Sequence, residues 1–141
     1  MRSPKDKPRS SGTMTDAAFT SFVKGHLRKA SRWWKPLTDT LTAANLRRGV
    51  YLCNGCKEEV PKSIVINGKR VNNISVDHRN PIVDPTTGFS GWDNFINSLF
   101  CESENLQVLC KSCHDTKSQQ ERNLAKESRT NKKELSNEDT I

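Results

Sequence analysis

The stretch Asn105-Leu106-Gln107-Val108-Leu109-Cys110-Lys111-Ser112-Cys113-His114 decides how this chain is read. Leu106, Val108 and Leu109 predict a short, half-buried strand. Cys110 and Cys113 form a C-x-x-C pair at the end of that strand. His114 follows at once, at the start of a long polar, helix-prone run. Upstream, Cys53 and Cys56 repeat the same spacing, with Gly55 permitting a tight turn between them.

Tetrahedral structural zinc takes four soft or borderline ligands, commonly from two C-x-x-C knuckles. Cys53, Cys56, Cys110 and Cys113 supply them; redox-active or incidental cysteines are the alternative. The wide gap between the pairs would make the metal join distant parts of the chain. Such a staple suits 141 residues of which 33% are hydrophobic. With a mean hydropathy of −0.78, that is lean for a self-sufficient core. Cys101 has no partner spacing and reads as a packed free thiol. Residues 1–14 carry no secretory signal, and no apolar run reaches membrane length. A cytoplasmic, reducing setting is expected, where paired cysteines are metal ligands sooner than disulfides.

The net charge of +7 is unevenly placed. Residues 1–52 carry 11 Lys and Arg against 3 Asp and Glu, whereas residues 53–114 carry 6 against 7 and residues 115–141 carry 6 against 6. Basicity therefore belongs to the N-terminal third, as an arm holding phosphate backbone would require; a solvated basic surface is the plainer reading. Residues 1–14 are expected to be a basic disordered tail. A helix is predicted over residues 15–34, with Thr15 as N-cap. It has an apolar face of Phe19, Phe22, Val23, Leu27, Ala30, Trp33 and Trp34, and a basic face of Lys24, Arg28, Arg32 and Lys35. Trp33 and Trp34 are expected in the core sooner than stacked on bases, and His26 as a packed or boundary residue. A second helix is predicted over residues 37–48, closing on Arg47 and Arg48 with Gly49 beyond its end.

Downstream, Val50, Tyr51 and Leu52 predict a strand leading into Cys53. Asn67-Gly68 between apolar runs signals a hairpin with a type I′ turn. Residues 74–78 continue as a strand into Asp77 and His78, and Arg79-Asn80-Pro81 marks its end. Residues 90–93 look like a capping box opening a helix over 92–100 whose apolar face covers the core. A polar helix should run from His114 to about Lys126. Zinc held by four thiolates has no open position, so any hydrolysis needs other residues. Phosphodiester hydrolysis wants a base for water and a cation for the phosphate, and Asp77-His78 offers a hard ligand and a base side by side. Because adjacent strand residues point to opposite faces, only a strand end would let both reach one phosphate.

Asp77-His78, Asn105 and the second C-x-x-C with His114 directly after it resemble the HNH endonuclease family (ββα-metal or His-Me finger nucleases). They are most similar to its cysteine-bearing bacteriophage members. The resemblance covers about residues 50–120. It implies an α+β fold: a small zinc-stapled, treble-clef-like hairpin–helix core with a helical N-terminal extension. The segments would be a tail (1–14), a basic helical extension (15–48), the nuclease domain (49–127) and a disordered tail (128–141). It further implies His78 as general base, Asp77 and His114 as ligands of one Mg²⁺ or Mn²⁺, and Asn105 as the brace that orients His78. Asn94 remains the alternative for the middle asparagine. Some members carry a further metal ligand late in the helix, where this chain has Lys117, Gln119 and Gln120. The expected partner is double-stranded DNA, gripped by Lys24, Arg28, Arg32, Lys35, Arg47 and Arg48. Roles implied for such proteins are homing, packaging beside a phage terminase, or restriction, in the cytoplasm of a bacterial host. The alternative is a non-catalytic zinc-ribbon module that binds nucleic acid.

Overall fold

The structure, a computed structural model, describes residues 6–138. It divides into two compact units, one ending at Trp34 and one beginning at Lys35.

In the first unit, Arg9 and Met14 exchange backbone hydrogen bonds of 3.1 and 3.0 Å across a turn. Thr15 then caps helix α1, Asp16–Ser31, its hydroxyl accepting from Ala18 N at 3.1 Å. Arg9 reaches back over the Phe19 ring, 4.4 Å from its centroid, and donates to Asp16 at 3.2 Å. The described part of the tail, expected to be disordered, is thus pinned to the helix it precedes. The apolar face does not enter a core: Phe22 is 50% exposed and Trp33 90% exposed. The helix stops at Ser31, so Trp33 lies in the turn beyond it and off the face that helical spacing assigned to it. His26 is exposed; its Nδ1 donates to Phe22 O at 2.9 Å and its ring lies 4.3 Å from the Phe22 ring.

The second unit is α+β, with small antiparallel sheets. Helix α2 is Lys35–Ala44, followed at once by strand β1, Asn45–Arg47. Arg47 and Arg48, expected to end a helix, instead lead into a hairpin. Arg48-Gly49 makes the turn, with Gly49 at φ +75°, and Arg47 pairs with Val50 of β2, Val50–Leu52. Sheet pairing with a glycine at the left-handed position wins over helix propensity here. Strand β2 also pairs with β3, Glu59–Pro61, so the first knuckle is the loop of a hairpin. Strands β4, Ser63–Ile66, and β5, Lys69–Asn72, form a separate ribbon; Asn67 and Gly68 turn it at φ 52° and 76°, as a type I′ turn demands.

Strand β6, Ile74–His78, pairs antiparallel with β7, Leu106–Cys110, across the long intervening segment. That segment contains helix α3, Trp92–Leu99. The expected capping box is not made. Gly91 is the N-cap, no side chain caps it, and the Ser90 hydroxyl accepts from Asn94 instead. Helix α4, Lys111–Glu138, continues well past Lys126, into residues expected to be a disordered tail. Its first turns carry the Lys111–Asp115 and Lys117–Glu121 pairs at i,i+4. Farther on, Ser128 donates to Thr86 O at 2.6 Å, tying the helix to the loop before α3. Residues 139–141, the rest of that tail, and residues 1–5 of the N-terminal one lie outside the described residues.

The core has two adjoining parts. Tyr51, Ile74 and Val108 are buried together, with Leu41 and Ala44 of α2 packed over them. Helix α2, expected in the extension, therefore belongs to this unit. Cys53, Leu109 and Cys110 form the second part. Asn73, itself buried, links them. Its side-chain amide donates to Pro61 O at 2.9 Å, and Lys111 N, the first amide of α4, approaches its carbonyl at 2.9 Å and its Oδ1 at 3.2 Å. Truncating Asn73 would leave Pro61 O without its side-chain donor and loosen the start of α4. Asn73→Ala should cost about 2 kcal/mol, read as a lower denaturation midpoint at fixed free zinc. An unchanged midpoint would show the tether to be dispensable.

Candidate functional site

Three structural elements bring the cysteines together. The β2–β3 loop carries Cys53 and Cys56, β7 ends at Cys110, and the first turn of α4 presents Cys113. Their sulfurs all lie within 4.8 Å of one another. Zinc–thiolate bonds of about 2.3 Å place tetrahedral ligands roughly 3.8 Å apart, so the set fits the ion after a small contraction. The loop is held for this purpose by Cys53 N to Glu58 O at 3.0 Å, Lys57 N to Cys53 O at 2.9 Å, and Asn54 N to Val108 O at 2.8 Å. Gly55 lies against the second pair. A Cβ there would stand 2.8 Å from Cys113 Sγ, so a side chain would force the knuckles apart.

The thiols also need a cation electrostatically. Burial raises the Cys53 pKa, but hydrogen bonds from the amides of Cys110, Cys56 and Gly55, with one from the Cys56 thiol, outweigh it and bring it down to about 6. Cys113 is pushed up to about 12, by burial first and then by the neighbouring Cys110 and Cys53. One thiolate therefore forms readily and the next is opposed by it, a conflict that a dication removes. Cys101 is outside the cluster. Among the described residues these four thiols are the one group of three or more metal-ligating side chains.

The second constellation lies on the β6–β7 ribbon. Asp77 pairs with Gln107 and His78 with Leu106, so the strand persists through His78 and the two side chains take opposite faces. His78 meets α3: its Nε2 is 3.0 Å from Leu99 O. A carbonyl only accepts, so Nε2 carries the proton and Nδ1 is left with a lone pair. Asp77 meets α4 instead. Lys117 Nζ stands 3.0 Å from Asp77 Oδ2, an ion pair whose side chains are 23% and 19% exposed. Beyond this ion pair, Asp77 Oδ2 is buried with no hydrogen-bond partner. Lys117 also donates to Glu121. Burial would lower the Lys117 pKa; the carboxylates of Glu121 and Asp77 outweigh it and hold it above its ordinary value.

Asn105 sits just before β7. Its carbonyl accepts from Arg79 N at 2.8 Å and its Oδ1 from Asn80 N at 3.2 Å, which fixes the chain immediately after His78. Asn94, the alternative, is exposed on α3 and bonds Ser90. His114 follows Cys113 in the first turn of α4, with Nδ1 3.8 Å from Asp115 Oδ1. Lys117 and Glu121 follow it at i+3 and i+7, one face of the helix. That shared face groups Lys117 with His114 and Glu121, but it does not identify Asp77 as the lysine's partner. Of the six basic residues assigned to DNA, Lys24, Arg28 and Arg32 belong to the first unit. In the second, Lys35 pairs with Asp39 and Arg47 with Glu59, each at 2.8 Å. Such exposed pairs are worth little and would yield to a phosphate.

Comparison with known protein families, curated proteins and solved structures gave no match. No helix among the described residues is long and apolar enough to cross a membrane.

The thiol cluster should bind one zinc per chain, and cobalt substitution should give the absorption bands of tetrahedral thiolate ligation. Gly55→Ala should weaken zinc at least about tenfold in a chelator competition, the loss typical of disturbed ligand support. Equal affinity in the variant would mean that the knuckles do not close on a common ion.

Proposed function

We propose that this chain is a metal-dependent DNA endonuclease of the HNH type, hydrolysing phosphodiester bonds on a zinc-stapled ββα scaffold of treble-clef character. The observation that carries the reading is the 3.0 Å contact of His78 Nε2 with Leu99 O. With Nε2–H held by Leu99 O, Nδ1 is the free lone pair of a general base. Asp77 precedes it, Asn105 clamps the backbone after it, and His114 starts the helix beyond the strand it pairs with.

Asp77 and His114 would hold the catalytic Mg²⁺ or Mn²⁺. The fit is supported by Asp77 Oδ2, a buried carboxylate oxygen without a hydrogen-bond partner. When bound, such an ion neutralises charge on the scissile phosphate and on the leaving oxygen. Since Asp77 and His78 take opposite faces of β6, the phosphate would sit across the end of the strand, at the turn that Asn105 holds. There His78 Nδ1 takes the proton of the attacking water as its oxygen bonds to phosphorus. The bond to the 3′ oxygen breaks, the departing alkoxide takes a proton from solvent water, and 5′-phosphate and 3′-hydroxyl ends remain. The Leu99 carbonyl holds the imidazole in place throughout. The basic residues Lys24, Arg28, Arg32, Lys35, Arg47 and Arg48 would hold duplex phosphates.

A second reading, a non-catalytic zinc module that binds nucleic acid, is favoured by the Asp77–Lys117 pair, since a carboxylate satisfied by a lysine needs no metal. The two readings part on Mn²⁺. Titration into the zinc-loaded protein should give binding that Asp77→Ala removes if the chain is a nuclease, and no such binding if it is a module.

Conversion of supercoiled plasmid to nicked and linear forms should require Mg²⁺ or Mn²⁺. It should fall by at least about a hundredfold in His78→Ala, the usual worth of a general base, with zinc content and DNA affinity unchanged. Normal cutting by that variant would remove His78 as the base. Replacing Lys24, Arg28 and Arg32 together by Ala should flatten the salt dependence of DNA binding by about three units of slope, measured by fluorescence anisotropy against ionic strength. An unaltered slope would place the DNA contacts elsewhere.

A further inference from the structure

We infer that Lys117 is a built-in competitor of the catalytic cation. It neutralises Asp77 while the ion is absent and is displaced from it when the ion takes Asp77. The inference rests on the hydrolytic reading of Asp77.

The argument starts from charge. Lys117 Nζ lies between two carboxylates, 3.0 Å from Asp77 Oδ2 and in contact with Glu121. Its single positive charge faces two negative ones, so the trio remains net negative and still attracts a dication. The bond to Asp77 is also the weaker of the two. The ammonium donates a hydrogen bond to Glu121 but meets Asp77 as an ion pair, and Asp77 Oδ2 has no hydrogen bond. A cation arriving at Asp77 would displace a partner held by charge alone. Glu121 can retain the displaced lysine from its place one turn along α4.

Space exists for the movement. Cavities of about 300–1,000 Å³ are common at ligand sites, and the one beside Lys117, about 530 Å³, is lined by Gly55, Gln107, Leu109, Thr116, Lys117 and Gln120 among others. Gln107 is the cross-strand neighbour of Asp77, so the cavity opens on the Asp77 face of the ribbon. A four-carbon stem rooted on α4 can swing into it while Asp77 turns to the ion.

The test measures ion binding before activity. Mn²⁺ affinity of the zinc-loaded full chain is determined by calorimetry for wild type, Lys117→Met and Lys117→Arg. Loss of the competitor should tighten Mn²⁺ about fivefold in Lys117→Met, the equivalent of one partly exposed ion pair. Lys117→Arg, which keeps the charge, should stay near wild type. In the wild type, acylation of Lys117 followed by mass spectrometry should rise when Mg²⁺ is added. Unchanged or weaker Mn²⁺ binding in Lys117→Met, with wild-type binding that depends on Asp77, would overturn the competitor role and leave the nuclease reading standing. Absence of Asp77-dependent Mn²⁺ binding in the wild type would overturn both. Where Lys117→Met fails to fold, Lys117 acylation against Mg²⁺ decides the matter alone, since a purely structural lysine would not change its reactivity.

Discussion

Four sulfur atoms within 4.8 Å of one another cannot all carry charge unless a multivalent cation sits among them. Everything in the second unit follows from where that constraint falls. Cys53 and Cys110 are 57 positions apart, and Cys110 N donates to Cys53 Sγ at 3.3 Å. Joining them closes a loop whose entropy cost a core this small meets poorly on its own. The join also fixes the end of β7 and the start of α4 as one rigid corner. From that corner the β6–β7 register places Asp77 opposite Gln107 and His78 opposite Leu106. The chemistry proposed here is thus positioned from the cysteines outward, although none of them takes part in it.

Much of this was legible in the chain because local signals and tertiary demand agreed. Asn67-Gly68 has the backbone freedom a type I′ turn requires, and the turn forms. Thr15 has the side-chain oxygen an exposed helix amide wants, and it caps α1. Leu106, Val108 and Leu109 form the expected strand, although it is buried on both faces where a half-buried one was expected. The cysteine spacings brought four thiols to one place.

The misreadings occur where two local signals competed. Arg47, Arg48 and Gly49 match a helix end as well as they match a hairpin turn, and only the availability of β2 decides between them. Ser90 could have capped α3, but Gly91 reaches φ +120°, takes the capping position itself, and leaves the Ser90 hydroxyl to Asn94. The polar C-terminal run has too little apolar surface to announce a long helix. It is helical all the same, with i,i+4 pairs near its start and Ser128 anchoring it to Thr86. Trp33 fell on an apolar face by helical spacing, yet α1 ends before it. The Asp77–Lys117 pair spans 40 positions and depends on the strand alternation of β6 together with the rotation of α4, so no local pattern could reveal it.

Helix α3 first entered as a cover for the core, with Phe95 and Leu99 buried. Its last residue gives it another part to play. The final carbonyls of a helix lack an amide four residues on and concentrate the negative end of the backbone dipole. Leu99 O is one of these, and the His78 ring takes it up. On the hydrolytic reading, the imidazole becomes positive as it gains a proton, with a fixed negative pole already aimed at it. A packing helix thereby orients the group it covers, and a change within α3 alone would re-aim the imidazole without touching β6.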